Sequence, residues 1–270
     1  MRRENNKVKK HNVNPAAKPA VIALIIFLFF ASFVGYIWRI LTTSEHFLVK
    51  SIVSRGILSD DLSYLLKKNI FTLNLSQESL NILKNCPDCY RIRLARILPD
   101  RIYVEYIKRK PIAFIKLYNY IAVDNEGVVF NSSIKPDEAG LPVILGLESK
   151  LASPKSGKRY DIKELKVALD ILSAFVRNPL LREYKISRID VSDIDDIMIK
   201  IPLVNKSAVA LNNKVQEKSE FLEIKISQGN IRDKIVIMAG LINQEKQNLA
   251  SIKYIDLRFK EPVIKFRDVK

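Results

Sequence analysis

Residues 20–38 read Ala-Val-Ile-Ala-Leu-Ile-Ile-Phe-Leu-Phe-Phe-Ala-Ser-Phe-Val-Gly-Tyr-Ile-Trp, without one charged side chain. At about 1.5 Å per residue, a helix of this length crosses the roughly 30 Å hydrocarbon core of a bilayer. The preceding residues 1–19 carry Arg2, Arg3, Lys7, Lys9, Lys10 and Lys18 against Glu4 alone. Such an excess of positive charge stays in the cytoplasm, so the N-terminus is expected inside and everything from Leu41 to Lys270 outside. Tyr36 and Trp38 suit the interfacial aromatic belt. A cleaved signal peptide has an apolar core of about 7–15 residues followed by small residues. This run is longer and ends in Tyr36, Trp38 and Arg39. A buried core helix would show a polar face, and this one shows none. The stretch therefore reads as one uncleaved transmembrane helix (20–38) behind a basic cytoplasmic tail (1–19).

That topology limits what the rest can do. The formal net charge is +16, of which the tail supplies +5, leaving +11 spread along the remaining chain. A surface of this kind favours anionic neighbours such as the headgroups of the lipid bilayer or cell-wall polymers. Nucleic acid is excluded as a partner, because the charge lies on the wrong side of the membrane. The two cysteines form Cys86-Pro87-Asp88-Cys89. This spacing suits a redox pair or half a zinc site. A second ligand pair is missing, and the only histidines, His11 and His46, both lie near the membrane. A thioredoxin-like pair belongs at a strand-to-helix junction, whereas this one precedes a strand. A local disulfide between Cys86 and Cys89, or two unpaired thiols, is the expectation.

Beyond the membrane the chain reads as an α+β fold. A strand of β-formers opens at Phe47 and ends at Arg55-Gly56. Ser59 caps a helical stripe of Leu62, Leu65 and Leu66, and Ser76 starts a second helix with Leu80 and Leu83 on one face. Two strands follow, Arg91–Ile97 and Arg101–Ile107, the second apolar on both faces, separated by Leu98-Pro99-Asp100. After Lys108-Arg109-Lys110-Pro111 a strand-rich region begins. It has a hairpin of Tyr120–Asp124 and Val128–Phe130 turning on Gly127. Leu141–Gly146 and a polar loop at Ser153–Lys158 come next. Asp161 is expected to cap a helix with Leu165, Ala168, Leu169, Leu172, Phe175 and Val176 on its apolar face. Strands are expected at Ile186–Val191, Ile197–Ile201, Val209–Leu211 and Phe221–Ile226. A helix groups Ile231, Ile235, Met238, Ala239 and Ile242, and strands at Tyr254–Phe259 and Pro262–Phe266 close the chain.

The ordered motifs resemble those of FtsQ/DivIB, the bitopic bacterial cell-division proteins. They are the Phe47…Ile52…Gly56 opening, Leu98-Pro99-Asp100-Arg101-Ile102-Tyr103-Val104 leading into Arg109-Lys110-Pro111-Ile112-Ala113, and Val123-Asp124-Asn125-Glu126-Gly127-Val128-Val129-Phe130. Leu141-Pro142-Val143-Ile144-Leu145-Gly146 and Tyr254-Ile255-Asp256-Leu257-Arg258-Phe259 complete the set. The resemblance implies a POTRA-like domain over residues 46–113 and a C-terminal β domain with helices over 114–270. It also implies a non-enzymatic scaffold at the division septum, without a cofactor. That scaffold binds FtsB/DivIC-like and FtsL-like membrane proteins among other divisome components and so helps to control septal peptidoglycan synthesis. Lys108 departs from the acidic residue frequent at its position, the Cys86/Cys89 pair is not a family hallmark, and the tail is short.

A strand at a sheet edge exposes unpaired N–H and C=O groups and accepts a partner strand. The Tyr254–Phe266 segment ends the chain, and Ile255, Leu257 and Phe259 alternate with Asp256, Arg258 and Lys260. The expected partner-binding residues are Tyr254, Arg258, Phe259, Lys260, Val263, Ile264, Lys265 and Phe266, with Arg258, Lys260 and Lys265 selecting an acidic partner. The plain alternative is that these strands are interior and the charges solvated. Arg91, Arg93 and Arg96 form a second basic patch, read first as a solvated face. Ser132-Ser133-Ile134-Lys135 and Lys155-Ser156-Gly157 mimic penicillin-binding motifs, but only about twenty residues separate them, without a Ser-Asp-Asn between. Asp193, Asp195 and Asp196 read as an exposed turn rather than a cation site. With no evident nucleophile–base pair or metal ligands, a non-enzyme is expected. A periplasmic POTRA-type assembly module that holds client strands is the alternative.

Overall fold

In a computed structural model, residues 17–55, 62–203 and 220–267 are described. Most of the basic tail, Gly56, the Ser59 cap and the Val209–Leu211 strand lie outside them. The described chain falls into two compact units. The first takes in residues up to Ile82 and Ile92–Tyr106, and the second Leu83–Arg91 and everything from Ile107.

The first unit opens with α1 (Ala17–Thr43). Its stretch from Val21 to Thr43 is long and apolar enough to cross a membrane, and its side chains stand exposed from Val21 to Ile40 among the described residues, with Leu41 and Thr42 half-buried. Next come β1 (Ser51–Arg55), α2 (Leu75–Asn85), β2 (Cys89–Ile97) and β3 (Arg101–Lys108). The sheet order is β1-β3-β2, with β1 parallel to β3. Ile102, Val104 and Tyr106 are buried on β3, whereas Tyr103, Glu105 and Ile107 are half-buried. The strand thus carries apolar residues on both faces, one face buried and the other half-buried through Tyr103 and Ile107. Two helix-start expectations change. Among the described residues, Ser63–Leu65 forms a 3-10 turn. Helix α2 is started by Asn74, whose Oδ1 accepts the Gln77 N–H at 3.1 Å, not by Ser76. Leu80 is exposed, and Ile82 is the residue of α2 that is buried.

The second unit contains β4 (Ala113–Lys116), β5 (Tyr120–Val123), β6 (Val128–Phe130), α3 (Pro136–Ala139), β7 (Val143–Leu145) and β8 (Lys158–Arg159). They are followed by α4 (Lys163–Arg177), β9 (Arg188–Asp190), β10 (Ile197–Leu203), β11 (Glu220–Ile226), α5 (Ile231–Gln244), β12 (Ile252–Asp256) and β13 (Val263–Phe266). The strands form one mixed sheet in the order β13-β12-β11-β10-β9-β7-β4-β5-β6-β8. Helices α4 and α5 present Leu165, Ala168, Ile171, Leu172 and Phe175, and Ile235, Met238, Ala239 and Ile242, to a shared core with the sheet. The 3.6-residue apolar spacing places both stripes. Val176, expected in the stripe, is 78% exposed. No side chain caps α4: Ile162 stands at its N-cap, so Asp161 does not.

One register row crosses this sheet on isoleucine alone. Ile121 on β5 faces Ile115, which pairs in turn with Ile144, Ile189, Ile199, Ile224, Ile255 and finally Ile264 on β13. Members from Ile115 through Ile255 are fully buried, and Ile264 is half-buried. Branched side chains pack well on a pleated surface, so the row is a continuous apolar rib beneath the helices. It ends on Ile264, because β13 is the outermost strand at that end of the sheet among the described residues.

Gly146, directly after β7, has φ +86° and lies so close to Ser192 that a Cβ there would stand 2.3 Å from the Ser192 nitrogen. Both the left-handed backbone and the clash oppose any side chain. Gly146→Ala is expected to lower unfolding free energy by about 1–3 kcal/mol, as read by thermal and urea unfolding of the detergent-solubilised chain.

Candidate functional site: the β13 edge

Among the described residues, strand β13 lies at the end of the sheet and pairs antiparallel with β12 alone, while β12 is interior between β11 and β13. The Arg267 N–H donates to the Ser251 carbonyl at 2.7 Å, fixing the alternation along the strand. Ile252 and Phe266 are then a non-hydrogen-bonded pair, and so are Ile255 and Ile264. The N–H and C=O groups of Ile264 and Phe266 therefore point away from β12. On the helix-covered face this edge presents Ile264 and Phe266, the latter 51% exposed. On the other face are Val263 and Lys265, whose ammonium lies 6.0 Å from the centre of the Tyr254 ring. Lys225 approaches the same ring at 5.8 Å.

Two arginines hold the strand in place. At its C-terminal end the Arg267 guanidinium donates to Ile252 O and Phe221 O at 3.2 and 3.1 Å and pairs with Glu220 at 3.3 Å. At the β12–β13 bend, Arg258 donates to both carboxylate oxygens of Asp256 and reaches Asp196 at 3.1 Å. A pinned edge has less conformational freedom to lose when another strand docks.

The Asp256 side chain is buried, and its carboxyl is held below the usual carboxylate range. The Arg258 side-chain hydrogen bond is the largest cause, acting against desolvation and aided by the Arg258 backbone N–H and the Arg258 and Lys225 charges. A carboxyl lowered in the folded state contributes stability above its unfolded pKa of about 3.9, and loses it as pH falls through the folded value. Asp256→Asn is expected to flatten the acid side of the stability profile while changing its neutral plateau less than Asp256→Ala does. Urea unfolding across pH 2–7 reads the difference.

These contacts redistribute the residues expected at the site. Tyr254, Val263, Ile264, Lys265 and Phe266 line the edge or its adjoining row. Arg258 is engaged internally and acts as a clamp. Phe259, expected on the core face, is 65% exposed, because β12 ends at Asp256 and the chain bends after the buried Leu257. Asp256, expected on the polar face, is buried for the same reason. Phe259 and Lys260 both stand exposed in the bend. Arg267, and the pairing of Asp256 with Arg258, escaped sequence reasoning. An Asp-x-Arg spacing at a strand end was the one available signal, and Arg267 offered none.

Elsewhere, Cys86 and Cys89 are disulfide-bonded. Their turn is tied down by Asp88, whose carboxylate accepts from Ser156 Oγ at 3.1 Å and whose carbonyl accepts the Arg109 N–H. Ser156 is thus structural, and Ser132 Oγ accepts the Ile134 N–H of its own turn. Asp193 and Asp195 accept from Asp195 N and Gln228 Nε2. Of the arginine patch, Arg93 pairs with Glu105 and Arg96 donates to Ile70 O and Leu73 O.

Two known proteins of cell division are similar to the chain. A protein of Koribacter versatilis named Cell division protein FtsQ is 24% identical over 215 residues, 78% of this chain and 56% of its own length. One of the same name from Geotalea daltonii is 23% identical over 197 residues, 72% of this chain and 64% of its own. The match thus spans less than two thirds of either relative. No protein-family model matches the chain.

Proposed function

For a cell-division membrane chain of FtsQ/DivIB character with one membrane-crossing helix, we propose the role of a non-enzymatic divisome scaffold. Its N-terminus lies in the cytoplasm, its bulk outside, and it gathers at the septum. There it binds FtsB/DivIC-like and FtsL-like membrane proteins and so couples assembly of the complex to septal peptidoglycan synthesis. The observation that carries this reading is the β13 edge, where the isoleucine row stops at Ile264 with outward N–H and C=O groups beside it. An added strand with an apolar residue against Ile264 continues both the ladder and the rib. An acidic residue on its other face meets Lys265, and one near the bend meets Lys260. Tail charge supports the orientation.

The test is imaging of an N-terminal fluorescent fusion in dividing cells of the native host, with co-purification of the two small partners. A band at the division site together with partner capture is the expected result. An even rim through the whole cycle, or a septal band without capture, overturns the scaffold reading; the rim favours the assembly-module alternative.

A further inference from the structure

The exit of α1 from its apolar stretch is built with unusual completeness. The last carbonyls of a helix lack intrahelical donors. Here Ser44 N donates to one of them, Ile40 O, at 3.0 Å, while the Thr42 and Thr43 hydroxyls back-bond to Trp38 O and Arg39 O in the turn before, at 2.9 and 2.7 Å. The Leu41 carbonyl takes its donor from far along the chain: Asn69 Nδ2, at 2.9 Å. Asn69 is 8% exposed, and its Oδ1 accepts the Phe71 N–H. Backbone bonds from Ile70 N to Phe47 O, Val49 N to Lys68 O and Lys67 N to Val49 O continue the join. Residues 66–70 are thereby fastened to the end of the membrane helix.

Distance then decides where they lie. Leu41 stands three residues beyond Trp38, about 4.5 Å along the axis. The polar layer of each leaflet is roughly 5–7 Å deep. A turn clasped to Leu41 O therefore lies at headgroup height. That turn exposes Leu66, Lys67 and Lys68, with Lys50 exposed across the join. Among the described residues, Asp100 lies 3.5 Å from Lys50 and also near Arg101, and Glu78 lies 3.8 Å from Lys68, so these two exposed lysines already share part of their charge with carboxylates. Exposed Glu45 opposes the lysines, whereas Lys67 makes no ion pair among the described residues. Lys67 also has φ +61°, a left-handed backbone that glycine would adopt at lower cost.

We infer that Leu66, Lys67, Lys68 and Lys50 form a seat on anionic lipid headgroups, so that α1 and the first extracytoplasmic unit stand on the membrane as one body. The apolar Leu66 enters the interface while the ammonium groups meet lipid phosphates. This rests on α1 crossing a bilayer, and is independent of partner binding at β13.

The test uses the full chain in bilayers, with Leu66→Cys carrying a nitroxide and Ser63→Cys as a second reporter. The native cysteines, bonded to each other, do not take the label. Accessibility to a water-soluble relaxation agent is compared between phosphatidylglycerol-containing and pure phosphatidylcholine bilayers. The label is expected to be shielded in the first and severalfold more accessible in the second. Lys67→Gly with Lys68→Gln should raise accessibility in the anionic bilayer likewise, and Lys67→Gly relieves the left-handed backbone, so a folding loss is not the cause. Equal accessibility in both lipids, or no response to removing the two charges, overturns the proposal. Thermal unfolding of each variant checks that the first unit is intact.

Discussion

Ile264→Pro is expected to weaken capture of the proposed FtsB/DivIC-like partner about tenfold or more, the equivalent of about 1.4 kcal/mol. Stability of the chain should change far less. The Ile264 N–H points away from β12, so proline removes a donor that only an added strand uses, and edge strands tolerate proline on their outward side. The ring also stands where the incoming backbone must approach. Ile264→Val is the control: it keeps the donor and a branched side chain, and should bind nearly as the parent does. Unchanged capture by the proline variant would exclude β13 as the docking edge, even with the chain at the septum. Loss of capture accompanied by loss of cooperative unfolding would mean that the strand had detached, and hydrogen exchange at the β12 amides separates the two results.

Asp124→Ala should destabilise the second unit by about 3–5 kcal/mol. Asp124 is nearly inaccessible, pairs with Arg109 at 2.5 Å, and accepts the Glu126 and Val128 N–H groups at 2.9 Å each. Alanine leaves a buried guanidinium and two amides without their acceptor. Asp124→Asn retains an oxygen for the amides and should cost clearly less, so the gap between the two variants measures the unpaired charge. Urea unfolding followed by circular dichroism reads both. If the two lost the same amount, the ion pair would contribute little and the turn hydrogen bonds nearly everything.

How much of this was legible in the sequence depended on the range of the interaction. The apolar helix near the N-terminus, the Gly127 hairpin and, Val176 apart, the stripes of α4 and α5 follow from local composition and period, and the structure places them where the spacing does. Caps were less legible. Asn74 and Ser76 are both good cap residues two positions apart, and only the closing hydrogen bond chooses Asn74. At the candidate site, alternation through Ile255, Leu257 and Phe259 reads as one strand, but the chain bends after Leu257 once Arg258 folds back on Asp256. That is a tertiary choice, invisible to a period of two. Strand order was illegible altogether. The parallel neighbours β4, β7 and β9 are joined by long connections, and nothing local records which strand meets which. Asn69 stayed hidden for the same reason, since its partner is 28 residues away.

The isoleucine rib carries a cost in information. Strand β10 offers Ile197, Ile199 and Ile201 in alternation, and β11 offers Leu222, Ile224 and Ile226. Sliding one past the other by two residues would leave every apolar side chain facing the same layer, so greasiness alone cannot tell the correct alignment from its neighbours. The polar contacts hold that knowledge. Lys200 meets Glu223 at 2.8 Å in the correct frame, and Arg258 spans from Asp256 to Asp196. The rib supplies cohesion that is indifferent to frame, and a few charged residues choose among frames that are otherwise degenerate. Any strand docking on β13 inherits the same ambiguity, and its charges facing Lys265 must supply the punctuation.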